Sequence, residues 1–531
     1  MRHLNILTEI NLFSFSKDLP FCARLVQVFL VLAQKAKSKE NRFIFSPSLI
    51  LTLTCFVVIF PLGAQPGGLG LNFDLPSYRG TPYKMKLAST SYQNLPAKAS
   101  LEAYAPTPGD QGNYSTCTAF ATAYHLRTIL LAKQLNETDK RKIDQLVLSP
   151  SFVYEQIKDV GDNTCAGGSN PVMALELLKT VGVATNQTMP YQCAAPLNRD
   201  ALLEAPNFTI SDYQILFLPD DADASFRINA TKKSLAEGYP VLLAMIVPES
   251  FYQPGKIWIP AASDSGPSGD HGRHAMCIVG YDDTVGGGAF RVLNSWGPDW
   301  CDGGYVWIRY QDYATWALGA LQAYPRAATP APGPSPTPAP TPSKFSGNIR
   351  FEQNTGQIMP LSRVSTRNLF VEEETAGTEA LVAYRMNSAY PSGTRFRFYL
   401  TANNESYIYA FATDKTQKIN KILPYDDGMS PHIGPNSTVA FPSDTKVIRM
   451  DNQPGTDYLL ILFSKEPLNV AQIQRTMETT SGSLTAKIRA ALGNKLTDTA
   501  LVDYQAGGAS FVLPPTTAGS VVPLMVEIEH Q

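Results

Sequence analysis

The chain has 531 residues, with 44 Lys plus Arg against 46 Asp plus Glu, so its net charge of −2 gives no electrostatic case for nucleic acid or an anionic membrane surface. That length exceeds one ordinary hydrophobic core, and two or three folded domains are expected. The 40 prolines are unevenly spread, and clustered proline marks extended linkers rather than cores.

Residues 1–64 read as a leader with a signal peptide. The apolar run "LILTLTCFVVIF", Leu49 to Phe60, follows the basic "KAKSKENR" and precedes "PLGAQ". Cleavage after Ala64 would leave Gln65 first and send the chain to the periplasm, cell surface or exterior. The residues upstream exceed the usual signal length and include a second apolar run, "LVQVFLVLA", so the true start is expected further along. An N-terminal membrane anchor is the alternative, although about 20 apolar residues are wanted to span a bilayer.

A short mature segment, 65–93, leads into an α+β domain over 94–324. "CTAFATAYHLRTILLAKQL" has apolar or small residues at helical spacing, while "AMCIVGYDD", "FRVLNSW" and "GYVWIRY" read as strands broken by turns. The stretch "PRAATPAPGPSPTPAPTPSK", residues 325–344, favours polyproline II and reads as a semi-rigid spacer between two units that move independently. Beyond it, 345–531 is β-rich, with strand runs such as "FRFYLTA", "SYIYAFAT" and "DYLLILFS". An amphipathic helix is expected near 469–492, with "TTSGS" positioned to split it.

The chemistry starts at Cys117. A thiol attacks only as thiolate, so a nucleophile needs a helix N-terminus, a nearby histidine, or both. "GDQGNYST" ends where the helical pattern begins, which puts Cys117 at the positive end of a helix. Taken alone, a cysteine is more often a buried packing residue. Of the six histidines, His274 in "DHGRHAMCIVGYDD" sits at the start of an apolar strand, a rigid position for a general base. His125 lies too far along the helix to serve, and His271 has no assigned role. Asn294 ends the strand "VLNSW", where its amide can accept the imidazole N–H and fix the ring.

Together "QGNYSTCTAF", "HAMCIVGYDD" and "NSWGPDWCDGGYVWI" resemble the active-site blocks of papain-like cysteine peptidases. The Cys117 to His274 separation, 274 − 117 = 157 residues, is close to the ~130 to 150 typical of that family. "LSPSFVYEQIKD", "CAGGSNPVMALELLKTVGV" and "MPYQ" resemble further family segments, so the likeness covers about 94–325. It implies a two-lobed fold, one lobe helical and one like a β-barrel. By the same likeness Cys117 is the nucleophile, His274 the base and acid, and Asn294 its orienter. Gln111 completes the oxyanion hole, Gly167 and Gly168 let substrate backbone approach, and Trp296 shields the His274–Asn294 bond. Arg273 would approach a specificity pocket. Peptide or protein is the implied substrate, and neither cofactor nor metal is expected.

Two positions depart from the family pattern: Thr118 replaces the aromatic residue after the nucleophile, and Tyr114 replaces a cysteine three residues before it. The family's disulfide to Cys165 therefore cannot form. Cys193 is the preferred mate of Cys165 in an exported chain, with Cys277 and Cys301 as the other candidates. The segment from Gln65 to about Leu95 is also shorter than the family's long inhibitory propeptides, so latency by that route is not expected. Two rival readings keep the same residues: a catalytically silent binding module, and an envelope transpeptidase or isopeptide acyl transferase.

The C-terminal part, with "YIYAF", "LPYDD" and "PGTDYLLILFSKEPL", resembles a widespread bacterial β-rich domain of uncharacterised function. It is expected to bind an envelope or surface partner. Asp426, Asp427 and His432 could hold a cation, although turn acids usually face solvent.

Overall fold

The structure is a computed structural model that describes residues 68–326, 344–364, 381–414, 416, 418–506, 508–515 and 517–531. The leader and nearly all of the proline-rich spacer lie outside the described residues. Among the described residues no helix is long and apolar enough to cross a membrane.

The first part of the chain is helical. Helix α1, Leu75–Arg79, is capped by Asp74, whose side chain accepts from Ser77 N. Strand β1, Tyr83–Lys84, comes next. Helix α2 runs through Cys117–Ala119, a π-helical stretch Phe120–Arg127, and Thr128–Gln134. Helices α3, Pro150–Ile157, and α4, Pro171–Thr180, each begin with proline in the first turn behind a side-chain cap, Ser149 and Asn170. Small residues of α2, including Ala119, Ala121 and Ala123, are fully buried and let the neighbouring elements close around it.

The second part is a sheet. Strands β2 (Ile210–Ile215), β3 (Val241–Val247), β4 (Gly272–Asp282), β5 (Ala289–Leu293), β6 (Tyr305–Arg309) and β7 (Ala317–Pro325) pair in the order β1-β2-β7-β3-β4-β5-β6. Helix α5, Ala224–Ala236, lies between β2 and β3 in sequence. The run "VLLAMIV" of β3 is almost wholly buried, as an interior strand covered on both faces should be. The β3–β4 register sets His274 opposite Met245, and the end of β5 delivers Asn294 beside it.

The C-terminal part has two sheets around one core. In the first, β8 (Phe345–Gln353) pairs with β9 (Arg395–Ala402); the second contains β10 (Ser406–Thr413). Alternate residues of β8, Phe345, Ile349 and Phe351 among them, face inward. The short β11, Met429–Ser430, and β12, Ser437–Phe441, come next, and β13, Gly455–Ser464, pairs with the last strand, β14, Val521–His530. Helices α6, Val470–Thr479, and α7, Leu484–Leu492, contribute Ile473, Met477, Ile488 and Leu492 to a further cluster with Tyr409, Phe411, Leu460 and Leu462. Gly482, at positive φ, separates the two helices.

The expectation of two independent units needs correction, because the two parts are docked. β1 stands in parallel between β2 of the first part and β11 of the second, with Tyr83 opposite Ile215 on one side and Met429 on the other. Met85 and Leu87 join the C-terminal core. A buried ionic cluster reinforces the join: Lys84 pairs with Glu237 at 3.1 Å, Lys233 with Glu237 at 3.3 Å, and Lys233 also donates to the carbonyls of Pro435 and Asn436.

Asp426, Asp427 and His432 are each paired within the protein. Asp426 accepts from the Tyr83 hydroxyl and Gly428 N, Asp427 pairs with Lys421, and His432 bonds Glu405. Each group is committed elsewhere, and no acid, cysteine or histidine cluster suited to a metal occurs among the described residues.

Candidate active site

Cys117 opens α2 and is fully buried. Ala275, Gly70 and Thr118 are the polar neighbours that favour its thiolate. Ala275 directly follows His274, so β4 brings the imidazole-bearing turn of chain against the thiol. Burial pushes the Cys117 thiol up to about 11, with those neighbours acting in the opposite direction. The helix terminus anticipated from sequence is present, but desolvation outweighs it here.

His274 is also fully buried, and its Nε2 lies 2.7 Å from Oδ1 of Asn294. An amide oxygen only accepts, so Nε2 carries the proton and Nδ1 is the nitrogen free to take one. Among the described residues Nδ1 has no hydrogen-bond partner. Ser295 N donates to the same Asn294 Oδ1 at 2.8 Å, which fixes the amide. Trp296 stacks on the imidazole with ring centroids 4.8 Å apart, and Tyr252, Trp300 and Phe251 also pack against it. Burial lowers His274 to about 4, with the Asn294 bond acting in the opposite direction.

Gln111 is held on both sides. Its Oε1 accepts from Ser295 Oγ at 2.6 Å, its backbone N donates to Ser295 O at 2.9 Å, and its carbonyl accepts from Tyr191 OH at 2.9 Å. This leaves Nε2 as a fixed donor. It donates to Tyr114 O at 2.7 Å and to Gly68 O at 2.9 Å.

Gly68 belongs to a strap, residues 68–72, that lies along the site. Gly68 N donates to Gly112 O, Leu71 N to Arg273 O, and Asn72 N to Ser169 O, while Ser169 N returns a bond to Gly70 O. Asn72 Nδ2 adds a bond to Gly167 O at 2.9 Å. The Leu71–Ser169 pairing is parallel. Only glycine fits at two of these positions: a Cβ on Gly68 would stand 2.1 Å from Tyr114 O, and one on Gly70 2.0 Å from Ser115 O. With the strap in place, Gln111, Cys117, His274 and Asn294 are each 0% exposed.

Residues 100–324 match the model of the papain family cysteine proteases, and residues 389–467 match a domain of unknown function (DUF4384). Over residues 100–324 the chain is thus similar to the papain family of cysteine proteases. Cathepsin B-like CP2 of Giardia intestinalis is 28% identical over 202 residues, covering 38% of this chain and 63% of its own length. Cathepsin B-like CP3 of the same organism is 30% identical over 209 residues, 38% of this chain and 64% of its own. The chain thus spans less than two thirds of these curated relatives. Xylellain, a cysteine protease from Xylella fastidiosa, has a crystal structure that aligns at 22% identity and a TM-score of 0.40, covering 49% of this chain and 97% of that one.

Within the protease domain, Cys165 and Cys193 form a disulfide. It closes the loop that carries Gly167 and Gly168, and Cys165 O accepts from Ser115 N two residues before the nucleophile. Among the described residues Cys277 and Cys301 form no disulfide. Arg273 reaches the site through its carbonyl, which accepts Leu71 N; the residue itself is exposed. His125 is buried on α2, neither ring nitrogen has a hydrogen-bond partner among the described residues, and burial drives it down to about 3. His271 bonds Gly266 O.

Sequence reasoning missed three contributors. Ser295 holds the Gln111 side chain, Tyr191 holds its backbone, and Thr118 donates its hydroxyl to Ser169 O at 3.0 Å. The adjacency of Ser295 to Asn294 was the available signal for the first. The strap had none, since "GGLGLN" carries neither a titratable group nor a periodic pattern.

Proposed function

We propose that this chain is an exported cysteine peptidase that hydrolyses peptide bonds through an acyl-enzyme at Cys117. The observation that carries the reading is the donor set around a backbone carbonyl: Gln111 Nε2 is held by Ser295 and already bonds a peptide oxygen, that of Gly68. A substrate carbonyl in that position would develop its negative charge against a preorganised donor.

In the reaction, His274 Nδ1 takes the Cys117 proton and the thiolate attacks the scissile carbonyl. The oxyanion is met by Gln111 Nε2 and the Cys117 backbone N–H. Collapse expels the amine, which leaves with the proton from the imidazolium, and a thioester remains. Water then gives its proton to His274 and attacks the thioester; the acid departs and the thiol is restored. Asn294 holds the ring in the tautomer this requires. Gly167 and Gly168 leave room for substrate backbone, and Trp296 keeps water from the His274–Asn294 bond.

Export is part of the proposal. It is supported by the leader pattern in residues 1–64 and by the Cys165–Cys193 disulfide, which suits an oxidising compartment. Mass spectrometry of the mature N-terminus tests it, with Gln65 the expected first residue. A thiol-directed peptidyl probe tests the chemistry. Labelling of the chain and its loss in Cys117→Ala are expected, with digestion of a peptide library lost in the same variant. A folded Gly70→Val chain, with its strap displaced, that neither labels nor cleaves would overturn the catalytic reading.

A further inference from the structure

We infer that the C-terminal β-rich domain is a clamp that keeps the strap in the active-site cleft, so that the protease opens when this domain undocks. The inference rests on the peptidase reading for its consequence, and on the path of residues 68–91 for its mechanism.

The strap is held in the cleft by backbone bonds and by Leu71, which is buried in the first part's core, with Leu69 packed against that core. The residues just downstream of it add a second hold. Asp74 caps α1, and the Tyr78 hydroxyl pins that helix to the protease domain by donating to Phe217 O at 2.9 Å and accepting from Ala320 N at 3.0 Å. β1 comes four residues after α1 and bonds the same run of chain, with Ile215 N donating to Pro82 O at 2.9 Å. A two-residue strand at a sheet edge is marginal by itself. Here it is an interior strand, because β11 of the C-terminal domain covers its other side.

Past β1 the chain contributes to both parts: Lys86 pairs with Asp221 of the first part at 3.3 Å, while its neighbours enter the C-terminal core. Met85 and Leu87 are 2% and 6% exposed within that core. Ala88 N donates to Thr438 O at 2.7 Å, Ser89 N to Asp444 Oδ2 at 2.7 Å, and Ser91 Oγ accepts from Thr438 N at 2.9 Å. The strap is thus tethered downstream by a segment integrated into a second domain's core. Holding that segment keeps the effective concentration of the strap at the cleft high. A partner that binds the C-terminal domain better when it is undocked would lower that concentration and expose Cys117.

Two full-length variants test the clamp without touching the strap. Met85→Ala/Leu87→Ala weakens the hold from the N-terminal side. Gly434→Leu acts from the other side, because a Cβ there would stand 2.3 Å from the Glu237 carboxylate and displace it from Lys84 and Lys233 at the join. Amide exchange is read at Leu71, Asn72 and Ser169, with the β3–β4 amides as the folding control. A rise of at least about fivefold at the strap in both folded variants is expected, with probe labelling of Cys117 rising toward that of Gly70→Val. Wild-type protection at the strap, while Ala88 and Thr438 lose theirs, would overturn the clamp. The exchange readout needs no catalysis, so absence of labelling in Gly70→Val would count against the peptidase reading alone.

Discussion

Gly68 places its carbonyl oxygen 2.9 Å from Nε2 of Gln111, so the donor assigned to the oxyanion hole is already occupied by the chain's own backbone. The strap runs parallel to Ser169, and the candidate catalytic side chains beneath it are shut from solvent. The structure is that of a closed site.

Opening it should need only one side chain. A Cβ on Gly70 meets Ser115 O at 2.0 Å, a backbone atom that cannot swing away. Gly70→Val is expected to expel the strap and raise kcat/KM on a short peptide substrate at least about tenfold, with little loss of thermal stability. An unchanged rate in a folded variant would mean that the strap does not obstruct substrate.

In that opened background the oxyanion donor can be weighed. Gln111→Ala should lower kcat by about 10² to 10³, the usual cost of removing one such donor. Ser295→Ala keeps the donor but frees its far end, since the 2.6 Å bond to Oε1 is lost. Its loss should be on the order of tenfold, the equivalent of one buried hydrogen bond. Single-turnover kinetics separate the two, and equal losses would show that Ser295 acts beyond positioning.

The candidate catalytic side chains were legible because their setting is local. "FRVLNSW" reads as a strand ending at Asn294, and the helical pattern that begins at Cys117 is the start of α2. The docking was not legible. Met85 and Leu87 pack with residues more than 250 positions away, and nothing around them distinguishes that core from the nearer one. Proline in the spacer suggested separation, yet a flexible connection does not prevent a buried interface from forming elsewhere. The ionisation of Cys117 also needed the fold, because sequence reports the helix end but not the strap that removes water from it.

The Cys165–Cys193 disulfide closes a loop of sequence separation 28. Chain-entropy arguments give a stabilisation of about 3 to 4 kcal/mol for such a loop. Cys193→Ser should lower the melting temperature accordingly. It should also weaken substrate binding more than kcat, because the loop presents Gly167 and Gly168 without touching the thiol. Calorimetry and steady-state kinetics read the two effects; a lowered kcat at unchanged KM would contradict this division.

Buried groups at the site contribute to the pH dependence of stability. His274 is lowered to about 4 by burial, from an ordinary value near 6.5. The unfolded chain therefore binds a proton that the folded chain refuses, and stability falls as pH drops from about 6.5 toward 4, by about 3 kcal/mol from this group. His125, lowered to about 3 by burial and by the charge of His274, adds to the same limb. Cys117 acts at the other end: its thiol is raised from 9 to about 11, so the unfolded chain loses a proton that the folded chain keeps, and stability falls as pH rises through that range. Urea midpoints should form a plateau between about pH 6.5 and 9. Cys117→Ala should flatten the alkaline limb, and His274→Ala the acid limb, each relative to wild type. Identical limbs in the variants would mean that neither group is buried in the form present in solution, and hence that the strap is not seated over the site.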